Sequence, residues 1–364
     1  MASFPTAAAA VTTGWLEARL KAAGAMGEGR IVDAGFVPIG TGQVGDTARF
    51  SLRYDRQGAG PPTVAAKFPS ADATSRSTAA MFGLYAKEVH FYRELAPRLD
   101  VRCPAVYASE LGADGADFVL LFEDLGPAQG GNQLDGCTLD QARAAVIQAA
   151  ALHAPTWCDA DLAHAAWLQP IPGVTERVCA LYPTAHAVFR ERYLDVLPRA
   201  MMAVCDAVNA HCQAYYHRDP VERAVCHGDF RLDNMLFAAR GGVDPIAIVD
   251  WQTTAWDCPL KDLGYFLGCG LGSALRRPHE SELIDLYCAE MTRRGVALDR
   301  AAVWDRYRLG ALHGVTTAVF SAAFVVRTER GDANFLSMAR NACELALDHD
   351  SVGVLETLLE NTRC

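Results

Sequence analysis

The chain has 364 residues, of which 51% are apolar and 21% charged, a balance that excludes intrinsic disorder and provides a core large enough for two domains or lobes. A formal net charge of −10 gives no support to a nucleic-acid partner and fits a neutral or cationic small substrate better. Twelve cysteines run from Cys103 to Cys364 without one CxxC pair, which argues against zinc sites and a disulfide scaffold and points to free thiols in a reducing cytosol.

From the N-terminus, MASFPTAAAAVTTGW has neither a basic start nor a strongly apolar run, so no secretory signal is expected. WLEARLKAAG then predicts a short helix ending at glycine. FVPIGTGQVGDTARFSLRYD has the alternation and glycine turns of strands, and the turn QGAGPP leads into a strand-like TVAAKF. Residues 77–96, STAAMFGLYAKEVHFYRELA, read as one helix, and VYASEL and FVLLFEDL as two strands around GADG. Residues 1–124 are therefore expected to form a small antiparallel sheet with one long helix.

Beyond GPAQGGNQ the pattern turns helical, so residues 125–364 are expected to form a mainly helical second lobe, an α+β architecture overall. The clearest helices are DQARAAVIQAAALHAPTW, the 186–216 region, 279–295 and 301–326. The uncharged stretch 309–326 barely reaches spanning length and is interrupted by glycines and polar residues, so it reads as a buried helix and no membrane association is expected. Within this lobe NMLF and PIAIVD predict two short strands of a hairpin around AARGGVD. A ligand is expected in the cleft where two lobes meet.

Four pieces then fit one chemical task. In GTGQVG, Gly40, Gly42 and Gly45 would let a turn lie against phosphate oxygens with its amides free, although the same glycines also suit a plain hairpin. Lys67 is one of only four lysines and sits in an apolar strand, where an ammonium must find an anion or reach solvent. Glu88 is the candidate partner, with Glu94 competing for the role, because apolar and aromatic residues follow Glu88 directly. The most informative piece is VCHGDFRLDNMLF, in which Asp229 and Asn234 lie five residues apart, followed by Asp250 at the end of IAIVD. If the two strands pair, Asn234 and Asp250 come to the same end, where an amide oxygen and a carboxylate suit Mg²⁺. Asp229 then stays free to orient and deprotonate a hydroxyl. Caps and Asx turns account for such residues equally well one at a time, and Asp233 reads as one.

The chain order of these parts is that of kinases. HGDFRLDN, with VDW sixteen residues after the asparagine, resembles the aminoglycoside phosphotransferase and choline kinase-like family. GTGQVGDT, EVHFYREL and FEDL look most like its ecdysteroid-kinase-like and acyl-CoA-dehydrogenase-associated branches. The resemblance implies a protein-kinase-like two-lobed fold and ATP and Mg²⁺ as cofactors. It makes Asp229 the base, Asn234 and Asp250 the metal ligands, and Lys67, oriented by Glu88, the phosphate contact. The backbone near Glu123 to Leu125 would take the adenine edge, and His227 would prop the loop. Asp262, in PLKDLGYF, resembles a position that braces the loop through its backbone.

Asp250-Trp251-Gln252 stands where protein kinases have Asp-Phe-Gly, and the activation-segment signals of protein kinases are absent, which disfavours a protein substrate. The expected acceptor is a small-molecule alcohol, partly apolar because no dense acidic run is present to meet an aminoglycoside. An aminoglycoside or aminoalcohol kinase and a catalytically silent nucleotide sensor are the alternatives. Monomer and dimer both stay open.

Overall fold

The computed structural model describes residues 4–40, 44–324 and 327–362, and the chain packs into two compact units. The first comprises Met1–Ala128 and Ala238–Thr253, the second Gln129–Phe237 and Thr254–Cys364.

The first unit is built on a five-stranded antiparallel sheet of β1 (Ile31–Ile39), β2 (Gly45–Tyr54), β3 (Thr63–Pro69), β4 (Val106–Leu111) and β5 (Phe118–Glu123), in the order β1-β2-β3-β5-β4. Alternation along the strands divides its side chains between two faces. Ala48, Phe50, Leu52, Val64, Ala66, Phe68, Val119 and Leu121 bury one face against Leu16 and Leu20 of α1 (Thr13–Ala22). Burying each of the larger side chains contributes about 1.5–3 kcal/mol. The Thr12 hydroxyl caps α1 by accepting from Trp15 N at 3.2 Å, and Gly24 follows it with φ 68°.

Lys67 alternates with Phe68 and therefore leaves β3 on the other face. The helix expected over 77–96 is instead broken at Gly83, whose φ of 64° is left-handed. It divides into α2 (Ala73–Met81) and α3 (Leu84–His90), and α3 runs on through a π turn, Phe91–Leu95. Tyr85, Glu88, Val89, Phe91, Tyr92 and Leu95 are buried along this stretch.

Residues 238–253 join this unit through backbone bonds. Arg240 N donates to Leu125 O at 2.8 Å, Gly241 N to Pro127 O at 2.8 Å, and Ile248 N to Arg102 O at 2.7 Å. The turn that opens the segment holds Ala238, Arg240, Gly241 and Gly242 at φ of 47°, 53°, 69° and 94°, and a bridge between Ala239 and Asp244 closes it. Asp244 gathers Arg240 and Arg102, each at 2.8 Å, and Arg102 also reaches Glu123 at 3.0 Å.

The second unit is mainly helical: α4 (Leu139–His153), α5 (Val174–Tyr193), α6 (Arg199–Ala210), α7 (Cys212–Tyr216), α8 (Leu260–Gly270), α9 (Ser273–Arg293), α10 (Arg300–Gly310), α11 (Leu312–Phe324), α12 (Glu329–Asp348) and α13 (Ser351–Thr362). The helix expected over 301–326 is two, α10 and α11. Helix α8 is buried along its whole length, and Gly264 is needed there because a Cβ would stand 2.6 Å from the Gly310 carbonyl carbon of α10. Among the described residues no helix is long and apolar enough to cross a membrane. The eleven described cysteines are all free, and most are buried.

Candidate active site

In the first unit, Lys67 Nζ lies 2.7 and 2.9 Å from the two Glu88 carboxylate oxygens and 2.8 Å from Asp250 Oδ1. Glu94, the competing partner, instead pairs with His90 on an exposed part of the same stretch. Glu88 is only 1% exposed, so its role is fixed: an ion there must be neutralised by the lysine or take up a proton. Burial, with Asp250 nearby, raises the Glu88 pKa against the pull of Lys67. Burial opposes the Lys67 charge too, but Asp250 and Glu88 outweigh it and hold the ammonium's pKa above the ordinary lysine range.

Asp250 has φ 67°, a strained position for a residue with a side chain. Its surroundings hold it there: Trp251 stacks on Phe91 at 3.8 Å and 7°, and the Trp251 indole donates to Ile248 O at 3.3 Å. Gly40 has φ 76° at the start of the expected phosphate turn, whereas Gly42 lies outside the described residues. At Gly45 the lysine itself demands the missing side chain, since a Cβ would meet Phe68 O at 3.0 Å and Lys67 Cε at 3.3 Å. A cavity of about 310 Å³ borders this turn, lined by Gly40, Gly45, Thr47, Ala48 and Phe68 among others. Of the backbone expected at the adenine edge, Glu123 N already donates to Ala105 O at 2.8 Å, and Leu125 O accepts from Arg240 N.

In the second unit, the loop 227–234 follows a short strand, Ala224–Cys226, paired antiparallel with Ala255–Asp257. Asp262 of α8 grips the loop backbone, accepting from His227 N at 2.6 Å and Gly228 N at 3.0 Å. The Asp262 oxygen that accepts from His227 also lies 3.4 Å from His153 Nε2, and His153 Nδ1 lies 3.0 Å from the Tyr287 hydroxyl. His313 Nε2 donates to Gly228 O at 2.8 Å. Burial, helped by Lys261, pushes the His313 pKa down to about 4, so this donor is a neutral imidazole near pH 7. His227 Nδ1 accepts from Asp229 N at 3.2 Å, an internal prop.

Three side chains converge on the Asp229 carboxylate. Asn234 Nδ2 donates to Oδ2 at 2.9 Å and also to the Asp229 carbonyl at 2.9 Å. Arg231 Nε donates to Oδ2 at 3.1 Å, and the Tyr265 hydroxyl donates to Oδ1 at 3.1 Å. Burial works against the charge, but Arg231, His227 and these bonds prevail and hold Asp229 below the usual carboxylate range. Asp233 is the second anchor of Arg231, at 2.6 Å, and it accepts from Gln133 N at 3.3 Å.

Asn234 belongs to the second unit and Asp250 to the first. A different trio, His153, Cys226 and Asp262, brings one ligand atom each within 4.8 Å, close enough for a metal ion. Its atoms are otherwise engaged, however. Both Asp262 oxygens hold loop amides, and the Cys226 thiol donates to Asp257 O at 3.4 Å while burial pushes its pKa well up. This arrangement serves as a brace for the loop.

Sequence reasoning missed Arg231, Tyr265, His313 and His153. Only Tyr265 left a signal, standing three residues after Asp262 and hence on the same helical face. Trp256 and Tyr307 are buried, and Tyr307 and Glu280 form a buried hydrogen-bonded pair.

The fold has counterparts among solved structures. The wild-type aminoglycoside 2'-phosphotransferase-IIIa in its GDP complex has a TM-score of 0.51 at 14% identity, over 86% of this chain and 93% of that one. Choline kinase from Cryptosporidium parvum Iowa II has a TM-score of 0.51 at 10% identity, over 90% and 91%. These likenesses establish the fold, the kinase-like α+β architecture with an antiparallel N-terminal sheet and a larger helical part. In sequence, acyl-CoA dehydrogenase family member 11 of Gallus gallus is 33% identical in an 86-residue alignment that covers 19% of this chain and 11% of that protein. The model of the ecdysteroid kinase-like family matches residues 45–298, and the chain belongs to that family.

Proposed function

We propose that this chain is an ATP-dependent phosphotransferase that moves the γ-phosphoryl group of MgATP to the hydroxyl of a small, partly apolar alcohol. The observation that carries this reading is Lys67 held between two carboxylates of unequal exposure. Glu88 is buried and fixed, whereas the Asp250 side chain is 30% exposed and open to further ligands. A lysine needed only for stability requires one acid, and the second carboxylate fits a site awaiting a cation and phosphates.

In this reading Gly40, Gly42 and Gly45 form the turn over the phosphates, and Lys67, steadied by Glu88, meets their charge. The Glu123 carbonyl and Leu125 amide take the adenine edge, because the Glu123 amide and Leu125 carbonyl are already committed. Asn234 and Asp250 hold Mg²⁺. The donor set suits it: the Asn234 amide nitrogen is spent on Asp229, which leaves the hard oxygen for a cation, and Asp250 adds a half-buried carboxylate whose Oδ2 lies 3.4 Å from Gln252 Nε2. Bound there, the ion supplies neutralisation of phosphate charge. The residues up to about 124 serve the nucleotide, and those from 125 onward carry the base and receive the acceptor.

Asp229 is the catalytic base. The acceptor oxygen attacks the γ-phosphorus, the bond to the bridging oxygen of ADP breaks, and the acceptor's proton passes to Asp229. A low pKa does not impede this, since the hydroxyl becomes acidic only as its bond to phosphorus forms. Arg231 and Arg330 offset the charges of Asp229 and Asp233, so these residues offer a polycation no excess of negative charge, which weighs against an aminoglycoside acceptor. The free cysteines support a reducing cytosol as the location.

The test is ADP release from MgATP over a panel of steroid alcohols, hydroxyacyl compounds, aminoalcohols and aminoglycosides. An apolar alcohol should stimulate release in the wild type and not in Asp229→Ala. Nucleotide binding with no stimulated release by any member of the panel would favour the silent sensor instead.

A further inference from the structure

We infer that Tyr265 is a positioning residue for the proposed reaction, fixing the Asp229 carboxylate in a single orientation through its hydroxyl; the inference rests on the reading of Asp229 as the base. Asp229 has two carboxylate oxygens and its neighbours treat them unequally. Oδ2 accepts from Asn234, and Arg231 Nε lies 3.1 Å from either oxygen, both donors being members of the same loop. Oδ1 receives its hydrogen bond from Tyr265, 36 residues away on α8. The loop donors move with the base, whereas Tyr265 ties it to the rigid body of the unit. It is thus the contact that sets the carboxylate relative to an acceptor seated among the helices.

Three further features make Tyr265 suited to this task. It is fully buried, so its ring is held by packing. Burial, with Asp229 beside it, pushes its hydroxyl pKa well up, so it remains a donor and cannot compete for the acceptor's proton. It also stands three residues beyond Asp262, so one helical face grips the loop twice, by its amides through Asp262 and by its acid through Tyr265. The His313 ring packs edge-on against Tyr265 at 5.1 Å while bonding Gly228 O, which joins the two grips.

Tyr265→Phe removes the hydroxyl and keeps the ring. Its crystal structure should show the Asp229 carboxylate rotated or split between two orientations, against one in the wild type. ADP release from MgATP, with the most stimulating alcohol or with water as acceptor, should slow about ten- to a hundredfold, in line with a lost hydrogen bond to a charged group. The KM for MgATP should stay within twofold and the melting temperature within a few degrees. An unmoved Asp229 with turnover within twofold of wild type would overturn the inference. So would a common decline of turnover, nucleotide affinity and melting temperature, which marks a merely structural tyrosine. Asp229→Asn separates this from the larger reading. If it keeps more than a tenth of wild-type release, the base assignment fails whatever Tyr265 does.

Discussion

Replacing Lys67 by methionine tests the buried ion cluster most severely, because it keeps the stem and deletes the charge. At 2.7 Å and an effective dielectric of about 20, the gross attraction between Lys67 and Glu88 is about 6 kcal/mol, much of which offsets their desolvation. In Lys67→Met, Glu88 is left buried without a cation and takes up a proton. For a carboxyl that ionises near pH 4.3 when unfolded, this costs about 4 kcal/mol at pH 7.5, within the ~3–5 kcal/mol typical of breaking a buried pair.

The loss should depend on pH in a definite direction. Glu88 in the variant holds a proton that the unfolded chain has released, so its folded pKa exceeds its unfolded one and stability falls as pH rises between the two. Lys67 in the wild type has a raised pKa, and its contribution is complete below about pH 10, hence constant from pH 5 to 8. Glu88 of the wild type also has a raised pKa, so the deficit of Lys67→Met should grow, by up to ~1.4 kcal/mol per pH unit, in the part of that range above the pH at which wild-type Glu88 ionises. Urea unfolding followed by tryptophan fluorescence suits the measurement, since Trp251 stacks beside the cluster. The added substitution Glu88→Gln should restore at least half of the loss. A deficit below about 1 kcal/mol, or one unchanged from pH 5 to 8, would refute the assignment of Glu88 as a buried acid dependent on Lys67.

Asp229→Ala should leave less than a tenth of wild-type turnover while MgATP still raises the melting temperature; higher residual turnover excludes Asp229 as the base. Asn234→Ala and Asp250→Ala should each shift the magnesium dependence of ADP release to higher concentration by about tenfold or more, within the range seen when a metal site is weakened. An unchanged magnesium titration contradicts their role. Gly45→Val should slow ADP release at least tenfold by displacing Lys67, from which a Cβ would stand 3.3 Å, with a folded sheet by circular dichroism. Full activity in that variant would show that Lys67 can move without consequence.

How much of this was legible in the sequence depended on chain distance. The strands of the first sheet announce themselves by alternation, and the loop 227–234 by its density of polar groups between apolar runs. Asp229 and Asn234 lie near enough along the chain for the loop to bring them together. The bond between Lys67 and Asp250 spans 183 residues and appears only once residues 238–253 dock on the first unit. The break at Gly83 went unread because a single glycine inside a helical pattern is tolerated as often as it interrupts. Arg231 reads as a surface arginine in any window, and only the fold shows it shared between Asp229 and Asp233. Tyr265 lies in a continuous apolar run of α8, where periodicity cannot tell a core ring from one whose hydroxyl is in use.

The most direct test of phosphoryl transfer at this site is a crystal structure with Mn²⁺ in place of Mg²⁺ and a non-hydrolysable ATP analogue, read by the anomalous signal of the metal. The account predicts one strong peak bound by both Asn234 Oδ1 and the Asp250 carboxylate at about 2.0–2.3 Å, with the γ-phosphate toward Asp229. A peak on the His153, Cys226 and Asp262 trio, or a nucleotide bound with neither Asn234 nor Asp250 near its metal, would contradict it.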